Sequence, residues 1–375
     1  MPFDFKTEKY IPGLDAVRAF SILLVTLGHF GLSKMIPGGF GVTVFFFISG
    51  FLITTLLFQE FLKRGEISIK QFYFRRFMRL MPELFALIAI TYVYQTLLGN
   101  PPTMLEIVSA IGYFTNYTLA ANTYFNLGID PAWGHLWSLS VEEHFYILFP
   151  LIFLPLVKSK DLRISFFVAL LIGCLAWRIA LVHFDFNFAN PALPYTYSAS
   201  EARFDSIAYG VLFAMIAQSP WRLSAGKQLV CLLLGSLILI ATLAVRDDTF
   251  RETFRYSLQG IGLGLVFAYL YLGTSRPAVI NLMELPLLKL LGVLSYGAYL
   301  WHLQYLYLAE RLFHITRDTL HGFQGLLFTG GGILFTFTVS YVSYVLIHVQ
   351  AKKLQKSILE TRSKTTALAH TGNSD

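Results

Sequence analysis

The chain has 375 residues, of which 55% are hydrophobic and only 14% charged, with 35 Phe, 20 Tyr and a mean hydropathy of +0.59. An average soluble domain carries about 25% charged residues, so a soluble globular enzyme and a disordered chain are both excluded. The net charge of +7 fits the Lys/Arg excess of cytoplasmic loops in a helical membrane protein better than a nucleic-acid footprint, and no nucleic-acid partner is expected. A membrane β-barrel is excluded as well, because runs such as FFFISGFLITTLLF (45–58) do not alternate apolar with polar residues.

A membrane span needs roughly 20 apolar residues. In chain order, such runs fall near 14–32, 40–58, 81–98, 137–156, 164–184, 204–218, 228–245, 257–273, 290–308 and 325–347, which predicts an all-α polytopic bundle of ten helices. The first run carries Asp15, Arg18 and His29 and no small-residue cleavage site, so it reads as a retained helix and not a signal peptide. Segment 105–121 is either an eleventh span or a short helix in the outer interface. Charge decides between the two. With ten spans and both termini cytoplasmic, 20 Lys and Arg lie inside and 7 outside, and Arg18 and Arg178 fall within spans. An eleventh span would move Lys158, Lys160 and Arg163 outside. The transmembrane domain then covers 1–350, and 351–375 is a polar, loosely ordered cytoplasmic tail. Cys174 and Cys231 lie within apolar runs, so no disulfide framework is expected.

Ionisable groups inside a bilayer are costly and mark function by default. On helix 1, Arg18 and His29 are eleven residues apart, which places them on one face and about 16 Å apart along an unbroken helix. Asp15 stands one turn before Arg18 and is its natural ion-pair partner. The loop after helix 2 holds Arg75, Arg76 and Arg79, and Arg76 and Arg79 form an R-x-x-R pair on one helical face. Clustered guanidiniums suit multivalent phosphates because of their fork geometry. Helix 4 opens with HLWSLSVEEHFY. There Glu142 and Tyr146 share a face in the outer half, and Trp137 takes an interfacial aromatic position. Arg203 and Asp205 stand at the outer start of helix 6. Ser295, Tyr299 and His302 form one polar stripe on helix 9. No metal site is expected.

These clusters together resemble the membrane-bound acyltransferase-3 family, the bacterial glycan O-acyltransferases. The carrying segments are GLDAVRAFSILLVTLGH (R-x10-H), FFFISGFLIT, FRRFMRLMP, LWSLSVEEHFY, the R-x-D-x-x-x-x-G of Arg203 to Gly210, and LSYGAYLWH. They stand in the family's order from residue 13 to 302. Two small departures are His144, where Gln is common, and Gln304, where Pro is common. The resemblance implies transfer of an acyl group, usually acetyl, from cytoplasmic acyl-CoA to a hydroxyl of a saccharide or lipid-linked glycan. It implies a multi-pass protein of the bacterial cytoplasmic membrane, with no permanently bound cofactor. It also implies that Arg18, His29, Arg76 and Arg79 are required. Some members add an extracytoplasmic esterase-like domain. No such domain is expected after helix 10, which would leave a separate extracytoplasmic partner enzyme or direct delivery as the routes to the acceptor.

Physical chemistry gives the same roles. The phosphates of acyl-CoA dock at Arg18, Arg75, Arg76 and Arg79. His29 is the general base or a transient acyl carrier, since an alcohol attacks well only when its proton is taken. Glu142 is expected to orient His29, as the carboxylate does in a triad. Tyr146, Trp137, Arg203, Asp205, Tyr299 and His302 support the site or bind acceptor. A secondary transporter or flippase is the rival reading, but the inverted repeats common in transporters are not visible in this chain.

Overall fold

The computed structural model describes residues 4–6, 8, 10–32, 35–129, 133–186, 193–315, 320 and 322–371, with side chains as far as Glu360. Its helices in chain order are α1 (Leu14–Leu27), α2 (Gly38–Arg64), α3 (Ile69–Leu97), α4 (Met104–Ile111), α5 (Thr115–Phe125), α6 (Trp137–Leu156), α7 (Lys160–His183), α8 (Tyr195–Ser198) and α9 (Ser200–Ala217). They continue with α10 (Ala225–Ala244), α11 (Asp248–Glu252), α12 (Phe254–Tyr271), α13 (Val279–Met283), α14 (Pro286–Val293), α15 (Ser295–Phe313), α16 (Gly322–Ser343) and α17 (Val349–Thr371). Among the described residues there is no strand. A single bridge joins Leu223 to the 272–274 segment, with Leu223 N donating to Leu272 O at 2.7 Å.

Among the described residues, seven helical segments are long and apolar enough to cross a membrane: 14–32, 38–64, 69–97, 134–156, 160–183, 225–244 and 322–360. The chain is thus an all-α, membrane-spanning bundle. Three further helices of 18 or 19 residues, α9, α12 and α15, stand where spans six, eight and nine are expected. Their polar content sets them apart from the seven: α9 alone carries Glu201, Arg203 and Asp205, and Arg203 and Asp205 are fully buried.

Local rules explain where three expectations change. The stretch after α2 is not a long loop. Gly65 takes a left-handed conformation (φ 75°) that ends α2, and Ser68 caps α3 by accepting from Gln71 N at 3.4 Å. Arg75, Arg76 and Arg79 therefore ride on the first three turns of a 29-residue helix. Segment 105–121 is no span. A capping box between Thr103 and Glu106 starts α4, and Tyr113 at φ 57° breaks the chain before α5. Helices of 8 and 11 residues reach about 12 and 16 Å, short of a ~30 Å hydrocarbon layer. Residues 351–371, expected as a polar tail, are helical. A π-turn over Tyr344–His348 joins α16 to α17, which runs on as helix to Thr371 and packs against α3.

α2 is the axis of the bundle and packs on α1, α6, α9 and α12. Its crossing with α9 is a backbone contact. A Cβ at Gly50 would lie 2.0 Å from Ile207 O, and one at Gly210 would lie 1.9 Å from Phe47 O. Small residues permit such close helix approach where lipid gives no hydrophobic drive. Beside the crossing, Phe47, Phe51, Phe213 and Phe267 interlock with ring centroids 4.7 to 6.1 Å apart. We expect Gly210→Ala to separate α2 from α9 and destabilise the bundle by about 1–3 kcal/mol. Gly264→Ala on α12, where nothing lies within 4 Å of the added carbon, provides the control. Thermal unfolding of both variants in detergent is the check, with a clear loss of Tm expected only for Gly210→Ala.

Candidate active site

Two large cavities enter the bundle among the described residues. The first, about 740 Å³, is lined by Arg18 of α1, Ser49 of α2, Arg75, Arg76 and Arg79 of α3, and Glu142 and Tyr146 of α6. The second, about 1010 Å³, is lined by His29, Gly38, His135, Trp137, Tyr197 and Tyr256. Three helices pass from one to the other in register. α1 runs from Arg18 to His29, and α2 runs back from Gly38 to Ser49. α15 runs from Ser295 in the first cavity to Leu303 and Tyr307 in the second. The cavities are therefore stacked along the bundle axis, with the arginines at one end and His29 towards the other.

In the arginine cavity most cations have a tether. Arg18 Nη1 lies 3.6 Å from Asp15 Oδ1, and Arg75 Nη2 lies 2.7 Å from Glu60 Oε2. Arg76 donates from Nε to Glu143 Oε1 at 3.3 Å, and its guanidinium lies over the Tyr146 ring at 3.3 Å from the centroid. Arg79 is exposed to the cavity and has no carboxylate partner among the described residues. Its electrostatic neighbours are Arg18 and Arg76, with Glu142 nearby. Arg18, Arg76 and Arg79 thus share one concave site, and Arg79 lacks a matched anion among the described residues.

His29 sits at the far end of α1. There the chain leaves α-geometry for a π-turn over Gly28–Leu32, with Gly31 at φ 105°. His29 Nδ1 donates to Val25 O at 2.9 Å, which places the lone pair of the neutral ring on Nε2. Its ring lies 4.9 Å from that of His302, which lies 5.2 Å from that of His135. His302 Nδ1 donates to Tyr299 O at 2.7 Å, and His135 Nε2 donates to Leu300 O at 3.1 Å. His135 begins the segment that carries Glu142, yet its type and spacing gave no separate signal, because only folding against α15 brings it to His302.

Several expected placements change. Glu142 is not brought to His29. It accepts from Ser49 Oγ at 2.6 Å in the arginine cavity, whereas His29 lines the other. Trp137 is buried and packs on Tyr197 at 4.6 Å and Phe46 at 6.2 Å, so it is a core wall and not an interfacial anchor. Arg203 and Asp205 are both fully buried and diverge. Arg203 donates to Tyr197 O and Thr43 Oγ1, each at 3.1 Å, and lies over the Tyr256 ring at 3.9 Å. Asp205 instead pairs with Arg178 Nη2 at 2.7 Å. Arg178 also donates to Thr253 O, Ala202 O and Ser257 Oγ, tying α7 to α9 and α12. Gln304 has a use that proline could not serve: its Oε1 accepts from Thr91 at 3.3 Å and from Tyr94, fastening α15 to α3. His144 Nδ1 meets Ser200 Oγ at 2.7 Å, on α9.

A helical membrane bundle with a basic cavity stacked on a histidine-lined one defines the class of protein. The family follows from comparison: residues 11–345 match the acyltransferase domain of the acyltransferase-3 family, and the chain belongs to that family. It is 28% identical over 313 residues to the O-acetyltransferase OatA of Staphylococcus aureus strain NCTC 8325, covering 79% of this chain and 50% of that protein. The OatA of strain COL matches to the same extent. The chain spans about half the length of these curated relatives. No solved structure matches it significantly.

Arg178 illustrates a buried charge that serves the fold. Arg178→Met strands Asp205 at zero exposure, which should cost about 3–5 kcal/mol. A lowered Tm in detergent is the expected result, and Arg178→Met combined with Asp205→Leu should recover most of it.

Proposed function

We propose that the protein is a membrane O-acyltransferase that moves an acyl group, acetyl by preference, from acyl-CoA to a hydroxyl of a glycan or lipid-linked saccharide. One observation carries the reading: Arg18, Arg76 and Arg79 converge on one cavity, and Arg79 has no acid partner among the described residues. Like charges held together in a low-dielectric site call for an anion of matching multiplicity, and guanidinium forks fit phosphate oxygens. CoA brings several phosphates and a thin pantetheine arm. The names of the relatives, O-acetyltransferases, favour acetyl as the acyl group.

The donor enters from the arginine end, which the Lys and Arg distribution assigns to the cytoplasm together with both termini. Phosphates rest on Arg79, Arg76 and Arg18, with Arg75 at the rim. Glu142 offsets part of the cluster's charge and holds Ser49. The thioester then lies along α1 towards His29. The acceptor hydroxyl approaches from the histidine cavity, whose Trp137, Tyr197 and Tyr256 offer aromatic faces to a saccharide. His29 Nε2 takes the hydroxyl proton as the oxygen attacks the thioester carbonyl. The tetrahedral intermediate collapses, the carbon–sulfur bond breaks, and the proton passes from His29 to the departing CoA thiolate.

Two variants separate binding from chemistry. Arg79→Ala should weaken acetyl-CoA binding and leave folding intact, with Lys only a partial replacement because it lacks the bidentate fork. Wild-type affinity in Arg79→Ala would reduce this arginine to a topology signal. His29→Gln should bind acetyl-CoA normally and lose roughly 10²–10⁴-fold in single-turnover transfer. Turnover close to wild type in His29→Gln would make the histidine a packing residue.

A further inference from the structure

The two cavities have almost separate linings. Among the described residues that bound them, only Val42 and Tyr299 line both. Tyr299 is 6% exposed and is held at both ends. Its hydroxyl meets Ser138 Oγ at 2.5 Å and donates to His135 O at 2.6 Å, and its backbone oxygen accepts from His302 Nδ1 at 2.7 Å. Ser138 faces the arginine cavity, while His135 lines the histidine cavity. The phenol therefore bolts the start of α6 to α15 at the level where the cavities meet. An acyl group that begins above the arginines and ends beside His29 must cross that level.

We propose that Tyr299 is the partition between the two cavities, closed by its hydrogen bonds to Ser138 and His135 and displaced when an acylated donor reaches through to His29; this rests on the O-acyltransferase reading for what passes, but not for the wall itself. The device has a chemical use. A thioester in reach of an open aqueous path hydrolyses unproductively, and excluding water until the acceptor is present prevents that loss. The side chain suits the task. A phenol fills the gap as a flat apolar plate, and its two hydrogen bonds are an ordinary restraint that a ligand can replace. The contact of His302 with the Tyr299 backbone, and of His302 with the His29 ring at 4.9 Å, ties the wall to the reacting base.

The test reads access directly. In a background of Cys174→Ala and Cys231→Ala, Met78→Cys places one half-exposed thiol in the arginine cavity, on α3 beside Arg79. Sealed, oriented vesicles are treated on each face in turn with a charged, membrane-impermeant methanethiosulfonate. With Tyr299 intact, the thiol should label from one face only. Tyr299→Ala removes the plate and should open labelling from the other face. Tyr299→Phe keeps the plate and removes both hydrogen bonds, so it tests the restraint even if the alanine variant folds poorly. Loss of two ordinary buried hydrogen bonds should raise labelling from the second face roughly ten- to hundredfold. Labelling that stays one-sided in both variants, or that is two-sided with Tyr299 in place, overturns the partition. Acceptor-independent hydrolysis of acetyl-CoA is read on the same variants and should rise with the second-face labelling. Two-sided labelling without that rise upholds the wall and counts against acyl-CoA as the donor.

Discussion

A charge carried into a low-dielectric bundle must be met by an opposite charge, by hydrogen bonds, or by a ligand, and this constraint orders the whole molecule. Arg178 and Asp205 satisfy it internally. Both have zero exposure, the pair is 2.7 Å apart, and further acceptors complete the arginine. That pair fastens α7 to α9 and α12 and leaves nothing over for a substrate. Arg203 meets it with two neutral acceptors and an aromatic face, while its buried Nε has no partner among the described residues. The arginines of the first cavity satisfy it only in part. Asp15, Glu60 and Glu143 tether Arg18, Arg64, Arg75 and Arg76, and Arg79 remains without a carboxylate partner among the described residues. Completeness of partners, and not sequence neighbourhood, separates Arg178 from Arg79.

The helix geometry gives this remainder its use. Because α2 and α9 touch backbone to backbone at Gly50 and Gly210, α2 is held at the bundle axis, and its two ends face different cavities. α1 and α15 lie alongside with Arg18 and Ser295 at one level and His29 and Leu303 at the other. A donor that binds by its phosphates at one end and reacts at the other needs such a stacked arrangement. The His29–His302–His135 cluster lies directly past Tyr299, whose backbone oxygen accepts from His302.

Much of this was legible in the sequence. The helical class follows from composition alone, and the six ordered segments point to the acyltransferase-3 family that the comparison confirms. The grouping of Arg18 with Arg76 and Arg79 was also readable, because the charge pattern puts all three at one end of the bundle. What failed to show had physical causes. A single helical period cannot anticipate the π-turn at Gly28–Leu32, so the position of His29 beyond α1 needed the fold. Glu142 was assigned to His29 by depth along the membrane normal, but lateral position decided its partner, Ser49. His135 and the double role of Tyr299 depend on contacts between residues more than 160 positions apart. The α3 arginines resembled a loop because Gly65 and Ser68 compress the α2–α3 turn into a few residues and the basic run continues as helix.

The central claim is that the arginine cavity recognises the phosphates of the donor. It is tested most directly by comparing the binding of acetyl-CoA with that of acetyl-pantetheine, which has the same acyl arm and no phosphates, to the purified protein in detergent at two salt concentrations. Two charge-assisted contacts at about 1.5–3 kcal/mol each predict at least a hundredfold preference for acetyl-CoA, narrowing as salt rises. Equal affinity for the two compounds, unchanged by salt, would contradict the account.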